Sequence, residues 1–143
     1  MCHRALGRRS YNGAMGRLRV LAISVLLLGC RNPAAPTPAL GSEFTLAPGQ
    51  QALVQHALGV TFIRVEGDSR CPANALCITG GDALVKIEVS SASGKRPYDL
   101  HTGDMMPVTD GGFTIVLVQL QPYPFAGKTT APGDYRATLR VTN

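Results

Sequence analysis

The sequence predicts an all-β domain over residues 42–143, an antiparallel Ig-like β-sandwich of about seven strands. Three features predict it. Apolar residues recur at every second position: Tyr135, Ala137, Leu139 and Val141 alternate with Arg136, Thr138, Arg140 and Thr142. That period places one face of an extended segment in a core and the other in water. Clusters of Gly, Pro, Ser and Asp separate the apolar segments at short intervals, as turns require. No stretch offers a capped helical period of about ten residues or more. A small closed β-barrel is the alternative that the same pattern allows.

In chain order, Glu43–Leu46 and Gln51–His56 are short strand candidates around the turn Ala47-Pro48-Gly49-Gln50. A turn at residues 58–60 leads into "VTFIRVE", Val60–Glu66. Ala83, Val85, Ile87 and Val89 then alternate with Leu84, Lys86, Glu88 and Ser90. A turn at residues 92–97 precedes Pro97–His101, and "TDGG" at 109–112 precedes "FTIVLVQL", Phe113–Leu120. The two more continuously apolar segments, 60–66 and 113–120, suit strands covered on both faces or strands carrying a bulge. Tyr135 follows Pro-Gly-Asp at the start of the last strand and resembles a position in late strands of Ig-like domains. Its ring is expected to cap the core and its hydroxyl to find a backbone partner.

The ends of the chain differ in charge. Residues 1–29 hold Arg4, Arg8, Arg9, Arg17 and Arg19 and no acid, whereas residues 30–143 hold nine basic and nine acidic residues. The formal net charge of +5 therefore belongs to the leader. A domain with no net charge and no basic stripe argues against nucleic acid as a partner. Arg17 and Arg19, the apolar run Val20–Leu28 and the small Gly29 have the layout of a secretory signal. The run is far shorter than the roughly 20 residues that span a bilayer. Met15 offers a start closer to this signal.

Leu27-Leu28-Gly29-Cys30 resembles the lipobox of bacterial lipoproteins. The resemblance implies cleavage before Cys30, acylation of that cysteine, and a protein held at the cell envelope through its lipid. Each buried CH₂ contributes about 0.8 kcal/mol, and more than one chain is needed for a stable anchor. Arg31, in place of an aspartate, implies the outer membrane where the organism has one. Residues 30–41 then read as a Pro/Ala-rich tether. Pro33, Pro36 and Pro38 favour an extended, solvated chain that packs against nothing and reaches roughly 30 Å.

Of the four cysteines, Cys2 leaves with the leader and Cys30 carries lipid, which leaves Cys71 and Cys77. In an oxidising compartment two thiols this close are expected to form a disulfide. A metal pair or a redox dithiol are the alternatives, and their spacings, C-x₂₋₄-C and C-x-x-C, differ from C-x₅-C. Asp68-Ser69-Arg70-Cys71-Pro72, the second cysteine, the following Gly, Pro122-Tyr123-Pro124 and Asp134-Tyr135-Arg136 together resemble a set of small exported bacterial proteins. The resemblance spans roughly residues 43–143. It implies a location and a fold but no activity, and this chain has Thr79 where those proteins usually carry Trp.

No catalytic constellation stands out. Gly-x-Ser-x-Gly, H-E-x-x-H and phosphate-cradling loops are absent from the sequence. His56 and His101 read as solvated or packed residues, and Asp99, Asp104 and Asp110 as solvated loop carboxylates rather than a calcium loop. Asp68 and Arg70 read as an ion pair shaping the cysteine loop or, alternatively, as ligand contacts. Tyr123 and Phe125, held by prolines, either plug one end of the sandwich or form a contact surface. The sequence thus points to a non-enzymatic, lipid-anchored binding or envelope-structural module without cofactor or metal. A secreted hydrolase inhibitor working through loops 68–81 or 121–133 is the alternative. A small enzyme built on His101 and Asp104 is the third reading.

Overall fold

A computed structural model describes residues 35–143. The signal at residues 1–29, the lipobox Cys30 and the first part of the tether lie outside the described residues. The domain contains β1 (Glu43–Leu46), β2 (Gln51–Val54), β3 (Leu58–Asp68), β4 (Ala83–Ser91), β5 (Gly94–His101), β6 (Val108–Asp110), β7 (Phe113–Gln121) and β8 (Arg136–Thr142). They form two antiparallel four-stranded sheets, ordered β1-β8-β7-β6 and β2-β3-β4-β5. The architecture is the predicted sandwich rather than a closed barrel. Apart from β1, which lies against the last strand, neighbours within each sheet are consecutive in sequence. The connectivity is therefore simpler than the interleaved order of immunoglobulin domains.

The period-two pattern decides what is buried. Ala83, Val85, Ile87 and Val89 of β4 and Ala137, Leu139 and Val141 of β8 are all inside, while their sequence neighbours face outward or lie at the margin. Phe62, Leu46, Leu58, Leu100, Ile115 and Leu117 fill the space between the sheets. Burying side chains of this size contributes about 1.5–3 kcal/mol each relative to exposure.

The two continuously apolar strands are explained by bulges, not by cover on both faces. In β3 the register shifts between Phe62 and Arg64 and again between Val65 and Gly67. Each extra residue reverses which side faces inward. Val65 then lies opposite buried Val85, and Asp68 opposite buried Ala83. In β7 a shift between Leu117 and Gln119 keeps Leu120 inward opposite Ala137 and releases Val118 from the alternation. The strand count exceeds the expected seven because the three-residue edge strand β6 was hidden beside the Asp110-Gly111-Gly112 turn. The turn expected at residues 58–60 lies instead at 55–57, where Gln55 and His56 adopt positive φ. The turn expected at residues 92–97 shrinks to Ala92 and Ser93, since β5 begins at Gly94.

The tether's described end does not run free. The Pro36 carbonyl accepts a hydrogen bond from Leu53 N at 2.9 Å, Leu40 packs against the core, and Gly41 N donates to the Val141 carbonyl at 2.7 Å. The expectation of a stretch that packs against nothing fails for Pro36–Gly41, because backbone groups there find partners on β2 and β8. Leu53 lies opposite Gly59, at the start of β3, so this segment sits at the end of the sandwich away from the loop that follows Asp68.

Candidate functional site

The second bulge of β3 turns Asp68 toward the interior, and the chain immediately supplies its counter-ion. Arg70 donates from Nε to Asp68 Oδ1 at 2.8 Å and from Nη2 to Oδ2 at 2.6 Å. The guanidinium also donates to the carbonyls of Leu120 (2.7 Å) on β7 of the opposite sheet and Pro122 (2.9 Å) just beyond it, and Tyr135 Oη donates to Asp68 Oδ2 at 3.2 Å. Arg70 is only 7% exposed. Burial pushes the Asp68 carboxyl up, but the hydrogen bonds and charge of Arg70, helped by Tyr135, outweigh it and hold the group below the ordinary aspartate value. Burial first, then the Asp68 charge, raise the Tyr135 hydroxyl. The ring does help cap the core, but its partner is this carboxylate and not the expected backbone group. Between the two readings of Asp68 and Arg70, the geometry is that of the ion pair, and it locks β3 to β7 across the sandwich.

The loop between β3 and β4, residues 69–82, rises from this pair. Its neck is closed by Ser69 N to the Asp82 carbonyl (2.7 Å) and Cys71 N to the Gly80 carbonyl (2.8 Å). Cys71 and Cys77 form the expected disulfide, with Cα atoms 6.0 Å apart. Ala73 N donates to the Pro124 carbonyl at 2.9 Å, and Asn74 Oδ1 accepts from Ala126 N at 2.8 Å, so the β7–β8 loop buttresses it. Reducing the bridge, or Cys71→Ser with Cys77→Ser, should lower stability by about 2 kcal/mol on the chain-entropy estimate for so short a loop, read as a shift of the urea midpoint.

Held by this frame, Leu76 and Ile78 project fully into water, at 105% and 106% of their reference exposure. Met105 and Met106 of the loop after β5, and Tyr123 and Phe125 of the loop after β7, are exposed at the same end. Arg70 lies over the Tyr123 ring at 5.2 Å, and Lys128 Nζ lies 5.8 Å from the Phe125 ring centre. Tyr123 and Phe125 therefore lean on the end of the domain without being enclosed by it. An open cleft of about 510 Å³ sits between the loops, lined by Arg70, Gly80, Gly81, Met105, Val118 and Tyr123 among others.

Several other titratable groups have structural partners. His101 Nδ1 lies 2.6 Å from Asp82 Oδ2, while Asp82 Oδ1 accepts from Thr102 Oγ1 (3.1 Å) and Gly103 N (2.8 Å). The hydrogen bond to Asp82 raises the His101 pKa. At Asp82, slight burial opposes the His101, Gly103 and Thr102 hydrogen bonds, which prevail and lower the value. Asp99, Asp104 and Asp110 do not converge. Asp99 pairs with Lys86 at 2.7 Å, and Asp104 accepts from Met106 N at 3.0 Å. Asp110 is not the solvated loop carboxylate expected. It is buried and accepts from Tyr98 Oη (2.8 Å) and Ser91 Oγ (2.9 Å), tying β6 to the other sheet. Those two bonds hold its carboxyl below the usual value. Among the described residues no three His, Cys, Asp or Glu side chains are grouped to hold a metal, and no helix is long and apolar enough to cross a membrane.

The sequence pattern singled out the braced loop but not its two exposed residues. Leu76 and Ile78 flank Cys77 in a segment without strand alternation, and that isolation was the available signal. No protein-family model matches the chain, and neither does any curated protein or solved structure. The functional reading rests on the loop end itself.

Proposed function

We propose that the protein is an exported bacterial lipoprotein, held at the cell envelope by lipid on Cys30, whose β-sandwich is a non-catalytic binding module that engages a protein at its loop end. The observation that carries the binding role is the frame around Leu76 and Ile78. A disulfide, a hydrogen-bonded neck and a neighbouring loop hold two large apolar side chains in water. Exposed apolar clusters rimmed by polar groups mark interaction surfaces. A loop already fixed in shape loses little conformational freedom when it binds. The anchor is supported by Leu27-Leu28-Gly29-Cys30, and a Cys71–Cys77 bridge fits an oxidising compartment.

Palmitate labelling should mark the wild-type chain and spare Cys30→Ser, which should leave the washed membrane fraction. Retention of that variant in membranes would overturn the anchor. In intact envelopes the wild type should give a discrete formaldehyde-crosslinked species that Leu76→Asp/Ile78→Asp lacks; identical patterns would remove the loop as the binding surface. A secreted inhibitor of a hydrolase would present the same braced loop, and inhibition of a protease panel at micromolar protein would favour that second reading.

A further inference from the structure

We infer that the partner at the loop end is a second copy of this chain, with Leu76 and Ile78 of each copy seated in the cleft of the other. The inference rests on the binding-module reading above and specifies its partner. Of the seven large hydrophobic side chains exposed among the described residues, only Ile63 lies away from this end. The other six expose a surface on the order of the roughly 800 Å² that each partner contributes to a standard interface. A projection and a recess stand side by side here. Gly80 and Gly81 form the base of the loop that carries Leu76 and Ile78, and they also wall the cleft beside Met105, Val118 and Tyr123.

That juxtaposition is what an isologous contact needs. A two-fold axis between the loop and the cleft inserts each projection into the other copy's recess in one operation. Space is sufficient: a cavity of roughly 150 Å³ holds a benzene-sized group, and the cleft offers about 510 Å³ for two branched aliphatic side chains. The charges at this end are of both signs, with Asp82, Asp104 and Asp134 beside Lys128 and Arg136, while Asp68 and Arg70 neutralise each other. Two copies can therefore meet without a block of like charge. Among the described residues no basic collar is present to draw the end onto an anionic lipid surface. The segment Pro36–Gly41 joins the opposite end of the sandwich and leaves the loops unobstructed.

The test is photocrosslinking of the full chain in its own envelope, with Leu76→p-benzoylphenylalanine as the probe. The expected product has twice the chain mass, and its crosslinked peptide maps to residues 102–106 or 118–123 of the second copy. The same probe at Ser93, in the β4–β5 turn at the far end, should give no such product. Adding Ile78→Asp, whose side chain has no buried packing to lose, should cut the product about tenfold with the thermal unfolding midpoint unchanged. A product containing a different protein overturns the self-association and leaves the binding-module reading standing. A lipid adduct, or none, overturns both.

Discussion

Arg70→Ala should destabilise the domain by about 3–5 kcal/mol at neutral pH, because it leaves Asp68 buried and charged without a counter-ion. The side chains of Arg70 and Asp68 are only 6% and 10% exposed, so the pair is largely shielded from water in the folded protein. The variant also strips donors from the Leu120 and Pro122 carbonyls, which removes one of the polar links between the sheets. Urea unfolding measures the loss. A double variant, Asp68→Asn/Arg70→Leu, should cost less than Arg70→Ala alone, since it removes the stranded charge along with its partner.

Acid supplies a second readout with a definite sign. Burial raises the Asp68 carboxyl while Arg70 and Tyr135 lower it further, so its folded value lies below its unfolded one. Its contribution is therefore present above the ordinary aspartate value of about 3.9 and is lost as pH falls through the lower folded value. In Arg70→Ala the guanidinium's share of the opposition to burial is gone, leaving the residue 70 N–H and Tyr135, and the carboxyl moves up. Protonation then relieves the variant while it weakens the wild type, so the gap between the two should narrow as pH drops below about 4. A gap that stays constant from neutral pH to pH 3 would mean that Asp68 is not the group left stranded.

What the sequence could and could not disclose follows from the range of each interaction. Alternation is local, and it located the buried residues of β4 and β8 because every second side chain meets the same core. Bulges are not local. Whether Ile63, Glu66 or Val118 is the extra residue depends on the strand opposite, and only the pairing with β4 and β8 reveals it. Asp68 and Arg70 were legible as an ion pair shaping the cysteine loop, but their burial was not, because the inward turn of Asp68 depends on two prior register shifts. The carbonyls that satisfy Arg70 lie 50 and 52 residues away, beyond any spacing rule. The disulfide was legible because its partners are close in sequence and few other thiols compete. Leu76 and Ile78 were not legible as a binding surface, since an apolar residue reads as core until the fold shows nothing above it.

Gly81→Ala should be among the most damaging single changes, at about 3–4 kcal/mol, although it adds one methyl group on a surface loop. Gly81 has φ +67°, a region that costs a residue with a side chain of order 1–3 kcal/mol. A Cβ there would stand 1.8 Å from the Ser69 carbonyl oxygen, 2.7 Å from the Ser69 carbonyl carbon and 3.0 Å from Arg70 Cα. All three are backbone atoms, so no rotamer change relieves the overlap and the neck must open. Opening it gives up Ser69 N to Asp82 and Cys71 N to Gly80, at about 1 kcal/mol each. It also shifts Arg70 against Asp68, which couples the loop to the buried pair. Gly80→Ala is the control: a Cβ at that neighbouring position meets nothing within 4 Å, and an unobstructed surface change stays within about 0.5 kcal/mol. Urea midpoints of the two variants decide the matter. If they coincide, the neck is not held by close backbone contact, and the loop that presents Leu76 and Ile78 has no rigid base.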